Sequence, residues 1–199
     1  MSRRLIVGTL AVVVAIITGG VIFVFSGIYN VAADDRHWTI SYRVMESIRS
    51  SSIKARASGI TTPQNLDGQE KIASGAVHYA THCANCHSAP GVKAEEWVGN
   101  MYPTPPQLTD TARNWKPSEL FWIIKHGIKM SGMPSWAEHG DDQIWNTVSF
   151  LRRLPNLSAD DYSKLAAAAA GHRMNNGAVE NKETEAHRGS SNSTHRGNH

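Results

Sequence analysis

From Leu5 to Val31 the chain carries no charged residue, and the next charge is Asp34. About 20 apolar residues cross the hydrocarbon core of a bilayer, so the run from Leu5 to about Ile28 is long enough to span one. Beyond it the pattern becomes helical and amphipathic. Trp38, Tyr42, Met45 and Ile48 share one helical face, while Arg36, Arg43, Arg49, Lys54 and Arg56 lie on other faces or beyond it. Residues 59–65 (GITTPQN) break this period and read as a linker. A second helix follows, with Ile72, Gly75, Ala76, Tyr79 and Cys83 on one face and Asp67 with Glu70 spaced as a capping box. Residues 88–116 hold no sustained period, being interrupted by Pro90, Gly91, Gly99, Pro103, Pro105 and Pro106.

Pro117 suits the first turn of the next helix, which carries Leu120, Ile123 and Ile124 and stops at Gly127. Asp141 and Asp142 open another helix, favourable near its positive end. Its inward face is Ile144, Trp145, Val148 and Leu151, and Arg152, Arg153 and Pro155 close it. This helix is expected to cross the earlier one at Gly75 and Tyr79, where the glycine permits close approach. Ser158 and Asp161 are spaced to start a short Ala-rich helix ending near Gly171. The expected class is all-α after one transmembrane helix. The expected divisions are an anchor (1–33), an amphipathic helix with linker (34–65), a central domain (66–156), a short helix (157–172) and a disordered polar tail (173–199).

Charge refines the two ends of this scheme. Arg3 and Arg4 precede the apolar run, which places the N-terminus in the cytoplasm and everything after the span on the far side. A cleaved signal peptide is the competing reading, since Val31, Ala32 and Ala33 are small or short enough for processing. The apolar run exceeds the usual 7–15 residues of a signal core, which favours a retained anchor. The net charge of +3 belongs to the flanks. Residues 66–156 hold eight Lys or Arg against nine Asp or Glu, and no basic stripe interleaved with aromatics suggests nucleic acid. His187, His195 and His199 in the tail offer weak metal binding at most.

The chemistry of the central domain begins at Cys83-Ala84-Asn85-Cys86-His87, which contains both cysteines of the chain. The spacing C-x-x-C-H is that of a c-type haem attachment site. One helical turn presents both sulfurs to the two vinyl groups of one porphyrin, and His87 offers an imidazole nitrogen to the iron. A dithiol redox pair wants a βαβ context, and a structural zinc site wants four protein ligands; neither is visible. Met133 sits in a Gly-Met-Pro turn 46 residues after His87. A thioether on such a turn suits the distal side of the iron, and Met opposite His raises the reduction potential. Met101 and Met130 are the fallback ligands, and a Met-x-x-Met pair for Cu(I) is a minor alternative. Tyr102 and Trp115, on the Pro-rich loop, carry donors suited to haem propionates. His78, His82, His126 and His139 read as surface or packing residues, with any of them a minor rival to Met133.

Taken together, the arrangement resembles class I cytochrome c. The matching parts are CANCH after a helix bearing Gly75 and Tyr79, the loop YPTPPQLTD, the helix SELFWIIKHGI, the GMP turn and the helix DQIWNTVSFLRRL. The resemblance covers about residues 66–156, closest to bacterial monohaem cytochromes and the cytochrome domains attached to haem–copper oxidases. It implies one haem c held covalently by Cys83 and Cys86, with His87 and Met133 as axial ligands. It further implies an electron carrier rather than an enzyme, with no small-molecule substrate. Its implied partners are redox proteins: a quinol-oxidising complex, a periplasmic dehydrogenase or a terminal oxidase. With the anchor, the expected place is a bacterial inner membrane, crossed once, with the haem domain in the periplasm. A dedicated subunit of an oxidoreductase complex is the first rival, and a haem sensor or small haem enzyme the second.

Overall fold

The computed structural model describes residues 2–167, so the tail and its three histidines lie outside the described residues. The chain divides into two compact units between Trp38 and Thr39. The first contains α1 (Arg3–Phe25), one continuous helix long and apolar enough to cross a membrane. It is a candidate membrane anchor. After it, Tyr29 hydrogen-bonds to Nδ1 of His37 at 2.7 Å, and Trp38 packs edge-on against Tyr29.

The second unit is helical, with no strand among the described residues beyond one isolated bridge between Ala89 and Val92. It opens with α2 (Thr39–Ala57), followed by α3 (Gln69–His82) and the single turn α4 (Ala84–His87). Then come the short α5 (Leu108–Thr111), α6 (Pro117–His126) and α7 (Asp141–Arg153). Residues 159–167 start a further helix, opened by Ser158, whose Oγ accepts the Asp161 amide at 3.1 Å. The core is drawn from α3, α6 and α7, including Ile72, Tyr79, Leu120, Ile124, Val148 and Phe150.

The expected crossing of α3 and α7 occurs at Gly75. A Cβ there would stand 2.0 Å from the carbonyl oxygen of Asn146 and 2.9 Å from Cβ of Phe150. Ridge and groove packing brings helix axes to about 8–10 Å, and here a missing side chain lets backbone meet backbone. Tyr79 lies beside this point, fully buried, with its ring 5.2 Å from that of Phe150.

Two details differ from the sequence expectation. Asp67 does not cap α3. Gly68 holds the cap position in extended backbone, with no side-chain cap bond, and Asp67 faces Arg152 at 3.8 Å instead. Of the expected stripe, Trp38 lies just before α2; on the helix Tyr42, Met45 and Ile48 are exposed, whereas Ile53 and Ala57 are buried. The helix packs on α6, so its final turns rather than its amphipathic stripe supply the buried contact.

Candidate haem site

Residue by residue, the site starts where α3 ends. The Cys83 amide closes α3 onto Tyr79 at 2.9 Å, and the Cys83 carbonyl then accepts the amides of Cys86 (3.1 Å) and His87 (2.9 Å). This turn puts both thiols and the imidazole on one short helical segment. The chain leaves through Ser88, whose φ of 56° lies in the left-handed region that non-glycine residues rarely occupy. Two contacts hold it there. The Tyr79 hydroxyl donates to the Ser88 carbonyl at 2.5 Å, and Ala89 and Val92 exchange two 2.9 Å backbone bonds just beyond. Tyr79 therefore links the helix crossing to the exit from the attachment turn. Burial pushes its hydroxyl pKa up, so it stays a donor. Tyr79→Phe is expected to leave a buried carbonyl without its partner and cost about 1–2 kcal/mol. A urea midpoint unchanged by this substitution would remove the link.

Nδ1 of His87 lies 2.8 Å from the carbonyl oxygen of Pro106. A carbonyl can only accept, so Nδ1 carries the proton and Nε2 presents its lone pair. A metal-bound histidine is normally oriented in this way by its second nitrogen. Burial lowers the His87 pKa, the Pro106 bond opposing it, so the neutral ligating form prevails. The Cys83 thiol is pushed up to about 12, first by burial and then by the nearby Cys86. A thiol held protonated is a poor ligand for a free metal ion, whereas a thioether needs no charge. The donor set thus fits haem c: two sulfurs in the attachment spacing and one oriented imidazole.

Met133 is half-buried against the core, on a loop fastened to the end of α6. The Ile128 amide bonds to the Met133 carbonyl at 3.1 Å, the Trp136 amide to Ile124 at 3.2 Å, and Ser135 Oγ to Lys125 at 2.7 Å. Gly127, at φ 65°, makes this closure possible, since a Cβ there would lie 2.6 Å from the Pro134 backbone. Met130 is 78 % exposed. Met101 comes close to the same loop, with its Cε 2.0 Å from where a Cβ of Gly132 would stand. Tyr102 is half-buried, ahead of a cis bond to Pro103. Trp115 packs on the core and lines a cleft with Arg113, Leu151 and Arg152. Pro106, Ser88 and Gly127 were not singled out by sequence reasoning for these roles. Their signal lay in the breaks of the period, which do not say what a carbonyl or a missing Cβ will face.

Three histidines spread along the sequence converge. His78 on α3 is buried, His82 one turn later is exposed, and His139 comes from the turn Ala137–His139 before α7. His126 stands apart, its ring 5.0 Å from Trp122. Burial, then the neighbouring His82 and His139, lowers the His78 pKa to about 4. The unfolded chain therefore binds the extra proton between about pH 6.5 and 4 while the fold resists it. The stabilisation is complete above pH 6.5 and is lost as pH falls toward 4, by up to about 3 kcal/mol at about 1.4 kcal/mol per pKa unit. Denaturant midpoints measured with a chelator present should fall across that window, and His78→Gln should flatten the slope. An unchanged slope in His78→Gln would assign it to another group.

Residues 70–151 match the family model described as cytochrome C oxidase, cbb3-type, subunit III. No curated protein and no solved structure gives a significant match to the chain. The matched region runs from the first turn of α3 to the last of α7, so it encloses the attachment turn, the loop to α6 and the Met133 loop.

Proposed function

We propose that this chain, whose class I cytochrome c domain binds haem c covalently, is a membrane-tethered carrier of single electrons between respiratory or periplasmic redox partners. The observation that carries the reading is the attachment turn: Cys83, Cys86 and His87 on one helical segment, with His87 oriented by Pro106. Cys83 and Cys86 would hold the haem covalently, and His87 and Met133 would be its protein ligands. Tyr102 and Trp115 supply donors for the propionates. When bound, haem c supplies one-electron ferric/ferrous chemistry. The protein's own part is to fix the His87 tautomer and to hold Met133 on a loop fastened to α6. With His87 and Met133 both committed to the haem, the reading is an electron carrier that would transform no substrate.

The apolar α1 is the anchor, and Arg3 and Arg4 keep the N-terminus in the cytoplasm. The domain then lies in the periplasm of a bacterial inner membrane. Tethering raises its effective concentration beside membrane partners, namely a quinol-oxidising complex, a dehydrogenase or a terminal oxidase. The second reading is a dedicated subunit of one oxidase complex. The family match to an oxidase subunit favours it, as do the exposed Ile40, Val44, Met45 and Ile48 of α2, which suit an assembly contact. Gentle solubilisation followed by native electrophoresis separates the two, since covalent haem marks the chain. Migration alone with rapid oxidation by added oxidase supports the carrier. Persistent co-migration with oxidase activity supports the subunit. A domain that neither takes up nor gives up electrons in native membranes overturns both.

A further inference from the structure

The convergence of His78, His82 and His139 is not used by electron transfer. We propose that these three imidazoles form a binding site for a borderline divalent transition-metal ion of the Zn2+ type, joining the end of α3 to the turn that follows the Met133 loop.

The geometry is close to what such an ion needs. One nitrogen from each ring lies within 4.8 Å of the others. A tetrahedral ion with bonds of about 2.0–2.1 Å places its nitrogens about 3.3 Å apart. Nε2 of His78 accepts a hydrogen bond from Nδ1 of His139 at 2.8 Å, so an ion between the two rings would take the place of that proton. His82 follows His78 by four residues on the same helix, and side chains so spaced are neighbours on one face. Its ring centroid is 4.8 Å from that of His78 and 5.0 Å from that of His139. Binding would need rotation of the rings and a shift of the His139 proton from Nδ1 to Nε2, after which three lone pairs can face one ion.

A second observation fixes which nitrogen of His78 faces this point. The Thr147 hydroxyl lies 2.9 Å from the carbonyl of Gln143 and 3.1 Å from Nδ1 of His78. The carbonyl can only accept, so the hydroxyl donates to it and accepts the Nδ1 proton of His78. Nε2 then presents its lone pair toward His139. Buried hydroxyl and imidazole thus set the tautomer a ligand requires. On the other side, the Glu138 carboxylate stands 3.9 Å from Nε2 of His139. At that distance it is an exposed nearby charge and makes no hydrogen bond to the ring. Imidazole donors suit Zn2+, Cu2+ and Ni2+, and three of them leave a fourth position for water.

The test uses the haem-loaded full chain in detergent, with His187, His195 and His199 replaced by Asn so that tail histidines do not contribute. Equilibrium dialysis against Zn2+ should give one ion per chain, and X-ray absorption at the zinc edge should report three imidazole ligands. His82→Gln and His139→Gln, each at an incompletely buried position, should weaken binding at least about tenfold. Thr147→Val should weaken it about 10- to 100-fold while all three ligands remain. Retained covalent haem and Soret absorbance in each variant establish that it has folded. Substoichiometric zinc in the parent protein, or an affinity that survives both His82→Gln and His139→Gln, overturns the proposal.

Discussion

Met133→Ala is expected to turn a protein indifferent to carbon monoxide into one that binds it, and to lower the reduction potential by on the order of 0.1 V or more. Met101 is also half-buried and bonded through its amide and carbonyl, but of the rival thioethers Met133 is the one packed against the core. Its carbonyl accepts the Ile128 amide at 3.1 Å, and its amide approaches Ser131 Oγ at 3.3 Å. Met130 is too exposed to hold a fixed position. Met101 is the instructive control, because its methyl sits against Gly132, beside Met133. Met101→Leu keeps that bulk and should leave the reduced spectrum unaltered by carbon monoxide. If Met101→Leu opened the iron and Met133→Ala did not, the two thioethers would exchange roles. If the wild type itself took up carbon monoxide readily, the carrier reading would give way to sensing or catalysis.

Gly75→Ala should cost about 3 kcal/mol or more, and unfold a large share of the protein at 37 °C. Overpacking a well-filled core typically costs about 1–3 kcal/mol, because flexible side chains yield. Here the added methyl meets the Asn146 carbonyl oxygen at 2.0 Å and its carbon at 2.6 Å, both backbone. Only a separation of α3 from α7 relieves the contact, and that would empty the core around Tyr79 and Phe150. Gly99→Ala is the matched control, since a Cβ there meets nothing within 4 Å. Its urea midpoint should stay within about 0.5 kcal/mol of wild type, as surface substitutions usually do. Equal effects from the two substitutions would mean the helix crossing is not the stability-limiting contact. Loss of haem retention in Gly75→Ala alone would tie the crossing to the attachment turn through Tyr79, whose hydroxyl reaches Ser88.

Much of this architecture was legible because its causes are local. The candidate anchor needs only an uncharged apolar run. The ends of α6 and α7 follow from Pro117 and Gly127, and from the paired Asp141 and Asp142 against Arg152 and Arg153. The attachment motif is readable for the same reason: one turn of helix fixes how far apart Cys83, Cys86 and His87 can be. Even the long-range crossing left a local trace, since Gly75 and Tyr79 are four residues apart on one helical face.

What stayed hidden was decided where segments distant in sequence meet. The burial of α2 falls on Ile53 and Ala57 because α6 receives those turns, and an amphipathic period cannot say which half of a helix finds a partner. Pro106 looked like one more break in an irregular loop until its carbonyl faced His87, 19 residues away. His78 and His139 are 61 residues apart and each alone reads as surface or packing. A histidine becomes a ligand or a buried neutral base through the groups that surround it. By itself the sequence determined the longer helices, the apolar run able to span a membrane and the spacing of Cys83, Cys86 and His87, because those depend on neighbours along the chain. Only the tertiary structure decided the tautomer of His87, the footing of Met133 and the meeting of three imidazoles, because each depends on a backbone carbonyl or a ring delivered from elsewhere in the fold.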